Sequence, residues 1–193
     1  MGRASIEIVA QFKEYDYSYL AYELSNGKVT ITGISGKLTD GLLYIPSVMV
    51  IGGTEYPVTT IKTQAFAYNT NIKTVLINAN VVQIEIYAFR ACMNLVSVEF
   101  GPDSQLANIG QYAFANCTSL TSVVLPEGLT SIGAYAFLGC SALTEIHIPS
   151  TVVSMGNNVF EGCKELTIYV PAIKDKTLWA ATWADGAKEV IEG

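Results

Sequence analysis

Basic residues are few in this sequence, and they are not clustered. Lysine and arginine number 11 against 17 acidic residues in 193, which gives a formal net charge of −6. A chain of this charge repels phosphate backbones, so nucleic-acid binding is disfavoured. An anionic membrane surface attracts clusters of lysine and arginine, which this chain lacks. We therefore expect neither nucleic acid nor a membrane surface as a partner.

Long hydrophobic runs are also missing. Half of the residues are hydrophobic, which indicates a folded protein with a large core. No run approaches the roughly 18 apolar residues of a membrane span. The first residues, MGRASIEIVAQFKEY, do not form a secretory signal, because Glu7 and Gln11 interrupt the apolar stretch. We expect no membrane insertion by this chain; either it is cytosolic or a signal was removed.

Residue patterns that carry catalysis or bind metals are scarce. His147 is the single histidine and no Cys-x-x-Cys pair occurs, whereas a zinc site needs three or four converging ligands. Ser122 could neighbour Glu145, but no further histidine faces it as a base and no nucleophile elbow is present, so a hydrolytic triad is not expected. Glu99 and Glu145 could form a carboxylate pair, but we expect both to be solvated on an open sheet. We predict no catalytic residue, no metal site and no cofactor, and keep an undetected enzyme as an alternative.

The sequence does contain an internal repeat. The segment AFANCTSL at 113–120 has the pattern of AFLGCSAL at 136–143, and three further copies occur. Five phenylalanines mark the copies, with separations of 23, 25, 23 and 23 residues: Phe66, Phe89, Phe114, Phe137 and Phe160. A period of this length indicates a solenoid in which each repeat forms one coil.

Each coil is predicted to contain a strand and a helical turn. The strand is a short alternating run such as VVL at 123–125, whose first and last residues point inward. The segments GQYAF and GAYAF favour a helical turn. We expect the phenylalanines to stack from coil to coil and to fill the core.

The four cysteines occupy one position of the repeat, at Cys92, Cys117, Cys140 and Cys163. Neighbouring coils lie about 4.8 Å apart with parallel side chains, whereas a disulfide needs converging Cβ atoms about 3.8 Å apart. We therefore predict a column of buried free thiols rather than disulfides or metal ligands. Asn69 takes this position in the first copy, where its amide should hydrogen-bond a loop backbone.

The pattern I-G-x-x-A-F-x-x-C-x-x-L-x-x-V-x-L-P resembles the BspA-like leucine-rich repeats. Residues 109–126, IGQYAFANCTSLTSVVLP, match it almost position for position, and the resemblance covers residues 61–171. It implies an α/β fold, a right-handed β/α superhelix or solenoid. It also implies a bacterial protein that is secreted or attached to the cell surface. Some members of the family act as adhesins towards host matrix proteins.

The N-terminal part departs from the repeat and is expected to cap it. Asn26-Gly27 and Gly52-Gly53 each lie between apolar runs and predict β-hairpins. LLYIP at 42–46 looks like the strand of an earlier coil. Residues 1–60 are therefore predicted to form an N-terminal β-hairpin cap and a partial first coil.

The C-terminal part is expected to form a helical cap over residues 172–193, with one helix at roughly 173–182. Trp179 and Trp183 would share one face of this helix and seal the last coil. A carbohydrate-stacking platform is the alternative. With the repeats at 61–171, the whole chain is predicted to be a single domain.

Outward residues of the predicted sheet are the candidate binding site. The core fixes the inward positions, so only outward residues are free to differ between coils. These outward residues are therefore predicted to form a ligand-binding face on an open sheet. The face comprises Tyr44, Leu76, Glu99, Val124, Glu145, His147 and Tyr169. We predict non-enzymatic binding of a host or bacterial protein or glycan, extracellular or at the cell surface as the resemblance implies. A structural spacer or scaffold is the alternative, and the oligomeric state is left open.

Overall fold

Short β-strands are the regular elements of the part of the chain described by a computed structural model, residues 17–38, 40–172 and 176–193. In chain order the strands are β1 (Leu20–Ser25), β2 (Lys28–Ile34), β3 (Leu42–Ile45), β4 (Val48–Ile51), β5 (Thr54–Ile61), β6 (Thr74–Ile77), β7 (Gln83–Ile84), β8 (Ser97–Phe100), β9 (Asn108–Ile109), β10 (Ser122–Val123), β11 (Ser131–Ile132), β12 (Glu145–His147), β13 (Ser154–Met155), β14 (Thr167–Val170), β15 (Leu178–Trp179) and β16 (Glu189–Glu192).

The strands form two sheets that follow the stack of coils. The front sheet contains β3, β6, β8 and β10, followed by β12, β14 and β16, and its hydrogen-bonded ladder is interrupted between β10 and β12. The back sheet has the order β1-β2-β5-β7-β9-β11-β13-β15, with β4 paired to β5. Within the repeats all pairings are parallel, and each coil contributes one strand to each sheet. The chain is therefore a β-solenoid.

Alternation in the front strands sends every second side chain into the core. In β6, Val75 and Ile77 are fully buried while Leu76 between them is half-buried on the outer side. The phenylalanine rings stack along the coils with nearly parallel planes. The centroid of the Phe114 ring lies 5.1 Å from that of Phe89 and 5.4 Å from that of Phe137. The predicted phenylalanine column is confirmed.

The predicted helical turns are wrong, because every second backbone N–H of these segments donates to the next coil instead of continuing a helix. Tyr112 in GQYAF has a φ of 54°, and the equivalent Tyr87 and Tyr135 have 60° and 60°, all in the left-handed region. The N–H of Phe114 donates to the carbonyl of Ala136 in the next coil at 2.8 Å. An α-helix would instead bond each N–H four residues back. The α/β class and the β/α superhelix are therefore corrected to an all-β solenoid in the described residues.

The predicted C-terminal helical cap is also wrong. Residues 173–175, where the helix was expected to begin, lie outside the described residues, and from residue 176 the chain forms a further coil with β15 and β16. Trp179 in β15 is buried beside Met155 of β13. Trp183 packs edge-on against it with ring centroids 4.9 Å apart. The tryptophans close the core as expected, but from a coil, and the burial of Trp179 does not suit a sugar-stacking platform.

No helix in the described part of the chain is long and apolar enough to cross a membrane.

The N-terminal hairpins are confirmed. β1 and β2 pair antiparallel around Asn26 and Gly27, whose φ angles are 51° and 68°. β4 and β5 also pair antiparallel. β2 then extends the back sheet beside β5. On the front sheet the backbone N–H of Tyr44 donates to the hydroxyl of Tyr19 at 2.9 Å. This cap occupies backbone groups of the edge strand β3 that would otherwise be open to pairing.

Candidate functional site

The outward residues of the front sheet form the central column that the repeat predicts. Register pairs Tyr44 with Leu76 and Leu76 with Glu99 at one end of the sheet. At the other end it pairs His147 with Tyr169. Val124 directly follows the last paired residue of β10 and lies between these two groups along the chain. All six predicted members of the column are therefore brought onto one face, and Glu145 lies beside them.

Ile191 extends this column by one residue, because β16 pairs with β14 and places Ile191 beside Tyr169. Sequence reasoning missed it, since the terminal segment was predicted to be helical. The signal that could have found it is the alternation in EVIE at 189–192, which has the period of a strand.

Apolar side chains of the face are exposed to water. Val124 is 72% exposed, the highest value among the large hydrophobic residues of the described chain. Ile191 is 38% exposed, and Leu76, Tyr44 and Tyr169 are half-buried. Because the core is complete without these side chains, the fold itself does not require them to be apolar.

His147 is held in a fixed orientation on this face. Its ring stacks on the ring of Tyr169 with centroids 4.5 Å apart and an angle of 9° between the planes. The Nε2 atom of His147 lies 2.7 Å from Oε1 of Glu145. Both side chains are mostly exposed, at 67% and 59%. The three residues form a flat aromatic platform with a polar edge.

A shallow groove follows the carboxyl ends of the front strands. One half is lined by Glu99, Asp103, Val124 and Glu127, among others. The other half is lined by Glu127, His147, Tyr169 and Ile191, among others. Since Glu127 belongs to both halves, they adjoin, and we call the whole the face groove. Its lining is Glu99, Asp103, Val124, Glu127, His147, Tyr169 and Ile191.

Asp103 and Glu127 were not predicted, because they lie in the loops that follow the strands and not in the alternating runs. The prolines just before them, Pro102 and Pro126, mark these loops in the sequence. Within the described residues, no group of three or more histidine, cysteine, aspartate or glutamate side chains is arranged to hold a metal ion.

The cysteine column is structural. All four thiols are free and buried. Each lies within hydrogen-bonding distance of the phenylalanine carbonyl one coil earlier, as in Cys92 to Phe66 at 3.1 Å. In the first copy Oδ1 of Asn69 accepts from the backbone N–H of Asn71 at 2.9 Å. The predicted thiols and the role of Asn69 are both confirmed. Burial raises the pKa of Cys92 to about 12.

We expect these thiols to resist modification in the folded protein. The reactive form is the thiolate, and at pH 8 a thiol with a pKa of about 12 is ionised in about one molecule in ten thousand. The measurement is labelling by an aromatic disulfide reagent at pH 8, followed by absorbance, with and without denaturant. Four thiols should react on unfolding. Rapid native labelling of several of them, or a mass two hydrogens short per cysteine pair, would show that the column is not buried and reduced.

The repeat has a counterpart among known families. The model of the BspA type leucine rich repeat region matches residues 54–173 in 6 copies, which is more than half of the chain. The chain belongs to the BspA-type leucine-rich repeat family. Membership agrees with the resemblance of residues 61–171 and extends it at the N-terminal end into β5.

Solved structures of bacterial leucine-rich repeat proteins are similar to this fold. The T. pallidum leucine rich repeat protein TpLRR is 26% identical with a TM-score of 0.74, over 91% of this chain and 81% of that one. A leucine rich cell surface protein from Faecalibacterium prausnitzii is 26% identical with a TM-score of 0.53, over 81% of this chain and 54% of that one. A comparison with curated proteins gave no match.

The pneumococcal vaccine antigen PcpA is 20% identical with a TM-score of 0.71, over 89% of this chain and 47% of PcpA. At this identity the likeness shows the fold alone. The BspA-type chain spans about half the length of PcpA and of the F. prausnitzii protein.

Proposed function

We propose that this BspA-type chain is a non-enzymatic binding module that docks a protein or glycan on its front-sheet face. The observation that carries the proposal is the 72% exposure of Val124 at the centre of that face. Exposed apolar side chains that the core does not need mark interaction sites when they are grouped. Val124 shares this face with Leu76, Tyr169 and Ile191, of which Tyr169 and Ile191 are direct neighbours.

The aromatic platform of His147 and Tyr169 adds a second reason. Aromatic side chains are enriched among the residues that contribute most to binding. Stacking at 4.5 Å restricts both rings before a partner arrives, so little side-chain entropy is lost on docking. An extended, uncovered sheet face is also the surface that solenoids present to partners.

A location at the cell surface or outside the cell is part of this proposal. It is supported by membership of the BspA-type family and by the description of the F. prausnitzii neighbour as a cell surface protein. A non-enzymatic role is supported by the solvent exposure of Glu99, Glu145 and His147, since a general acid or base usually depends on burial to set its pKa.

The proposal is tested by screening the purified chain against protein and glycan arrays and measuring the affinity of each hit. Tyr169→Ala and His147→Ala should each raise the Kd of a genuine partner about tenfold. Residues of a binding hot spot contribute more than about 1 kcal/mol to the free energy of binding. The matched control is Tyr68→Ala, because Tyr68 is 61% exposed but lies on the turn side of the solenoid.

Unchanged affinity in both face variants, together with a complex that contacts the turn side, would refute the proposed face. Arrays that give no hit would favour the alternative, a spacer or scaffold within a larger surface assembly.

A further inference from the structure

We propose that the partner held in the face groove is an extended, cationic segment of a protein, rich in arginine or lysine. This inference rests on the proposed function, because it names the class of partner for the same face.

Charge is segregated along the chain. Residues 91–163 contain no lysine and no arginine, but five carboxylates: Glu99, Asp103, Glu127, Glu145 and Glu161. The rest of the chain holds the other 12 acidic residues and all 11 basic ones, so it is nearly neutral. Almost the whole net charge of −6 therefore belongs to the central coils.

The fold then places this charge on one side. Glu99, Asp103 and Glu127 line the face groove, and Glu145 is exposed on the same sheet. Glu161 lies apart from them, in the turn that follows Phe160. Among the described residues, no lysine or arginine lines either half of the groove. Carboxylates along one groove repel one another, and salt screens this repulsion only beyond about 8 Å. A positively charged partner would therefore relieve the repulsion and be drawn to the groove.

The groove is not only acidic. Val124 lies within the acidic half, and the His147–Tyr169 platform with Ile191 forms the other half. Lysine and arginine place a charged end on an apolar stem, and arginine also stacks on aromatic rings. A cationic segment can therefore meet both kinds of surface at once. Sulfated glycans and nucleic acids would be repelled, and a neutral glycan would gain nothing from the charge.

The dimensions favour an extended segment. From β8 to β16 the groove crosses five front strands, or about 19 Å at about 4.8 Å per step. An extended peptide rises about 3.3 Å per residue, so about six residues would span it. The groove is open and shallow, which suits a strand laid across the sheet better than a compact ligand.

The test uses three labelled hexapeptides of alternating residues: arginine with leucine, glutamate with leucine, and serine with leucine. Binding to the full chain is followed by fluorescence anisotropy at low and at moderate salt. We expect the arginine peptide alone to bind, and more weakly as salt rises. In the triple variant Glu99→Gln, Glu127→Gln, Glu145→Gln its Kd should rise at least tenfold.

The matched control changes the same amount of charge away from the groove, with Glu55→Gln, Glu161→Gln and Asp185→Asn, three exposed positions. Its Kd should stay within about twofold of the unmodified protein. If the Kd of the arginine peptide rises equally in the two triple variants, net charge alone attracts the peptide. That result would overturn the inference.

The remaining outcomes separate this inference from the proposed function. If the serine or glutamate peptide, or an array glycan, binds in a manner that Tyr169→Ala abolishes, the face is a binding site but its partner is not cationic. If no peptide and no array partner binds the face, the proposed function fails and this inference fails with it.

Discussion

Replacing Phe114 by alanine should lower the free energy of unfolding by about 3–5 kcal/mol, the usual range for a buried phenylalanine. The side chain is fully buried, and its ring is stacked between those of Phe89 and Phe137. Removing it leaves a cavity at the centre of the column and takes stacking contacts from both neighbouring coils. Because each coil of a solenoid is stabilised by its neighbours, the damage is not confined to one repeat.

Urea unfolding followed by circular dichroism measures this loss. Phe66→Ala and Phe160→Ala should be less severe, because these residues lie nearer the ends of the column. Tyr68→Ala, at an exposed position, should change stability by less than about 0.5 kcal/mol. A loss under about 1 kcal/mol at Phe114 would be inconsistent with a filled phenylalanine column.

The columns of the core could be predicted from the sequence because a side chain at a fixed repeat position meets its own counterpart in the next coil. The spacing therefore predicts directly that the phenylalanines, the cysteines and the inward strand residues are buried. The outward column follows from the same register, which is why Glu99, Val124 and His147 were placed correctly. Asn26-Gly27 was equally informative, since few sequences suit two consecutive left-handed residues in a tight hairpin.

The helical turns could not be predicted in the same way, because the decisive interactions join residues about 22 positions apart. GQYAF has the composition of a helix, yet the bond from the N–H of Phe114 to Ala136 exists only once the next coil is in place. Non-glycine residues such as Tyr112 then adopt a left-handed φ that local propensity disfavours. Two acidic residues of the groove, Asp103 and Glu127, were missed for a related reason, since they come from loops without a repeating pattern.

Replacing Gly133 by alanine should lower the free energy of unfolding by about 3 kcal/mol, at the upper end of the usual range for overpacking. A Cβ atom there would lie 2.5 Å from the backbone nitrogen of Gln111 and 2.7 Å from the carbonyl carbon of Gly110. These are backbone atoms of the preceding coil and cannot rotate away. The coils are held together at this point by the bond from the N–H of Gly133 to the carbonyl of Ile109, at 2.8 Å.

Thermal and urea unfolding of Gly133→Ala should be compared with Gly101→Ala as the matched control. A Cβ on Gly101 would first meet Oδ1 of Asn78 at 2.9 Å, a side-chain atom, and would come no closer than 3.4 Å to a backbone atom. The control should therefore change stability by less than about 1 kcal/mol, since alanine also restricts the unfolded chain and offsets part of any loss. Lys62 and Glu85 hold the position of Gly133 in the first two coils, so the repeat as such does not require glycine. Equal effects of the two substitutions would mean that the loss of glycine, and not the close approach of the later coils, is responsible.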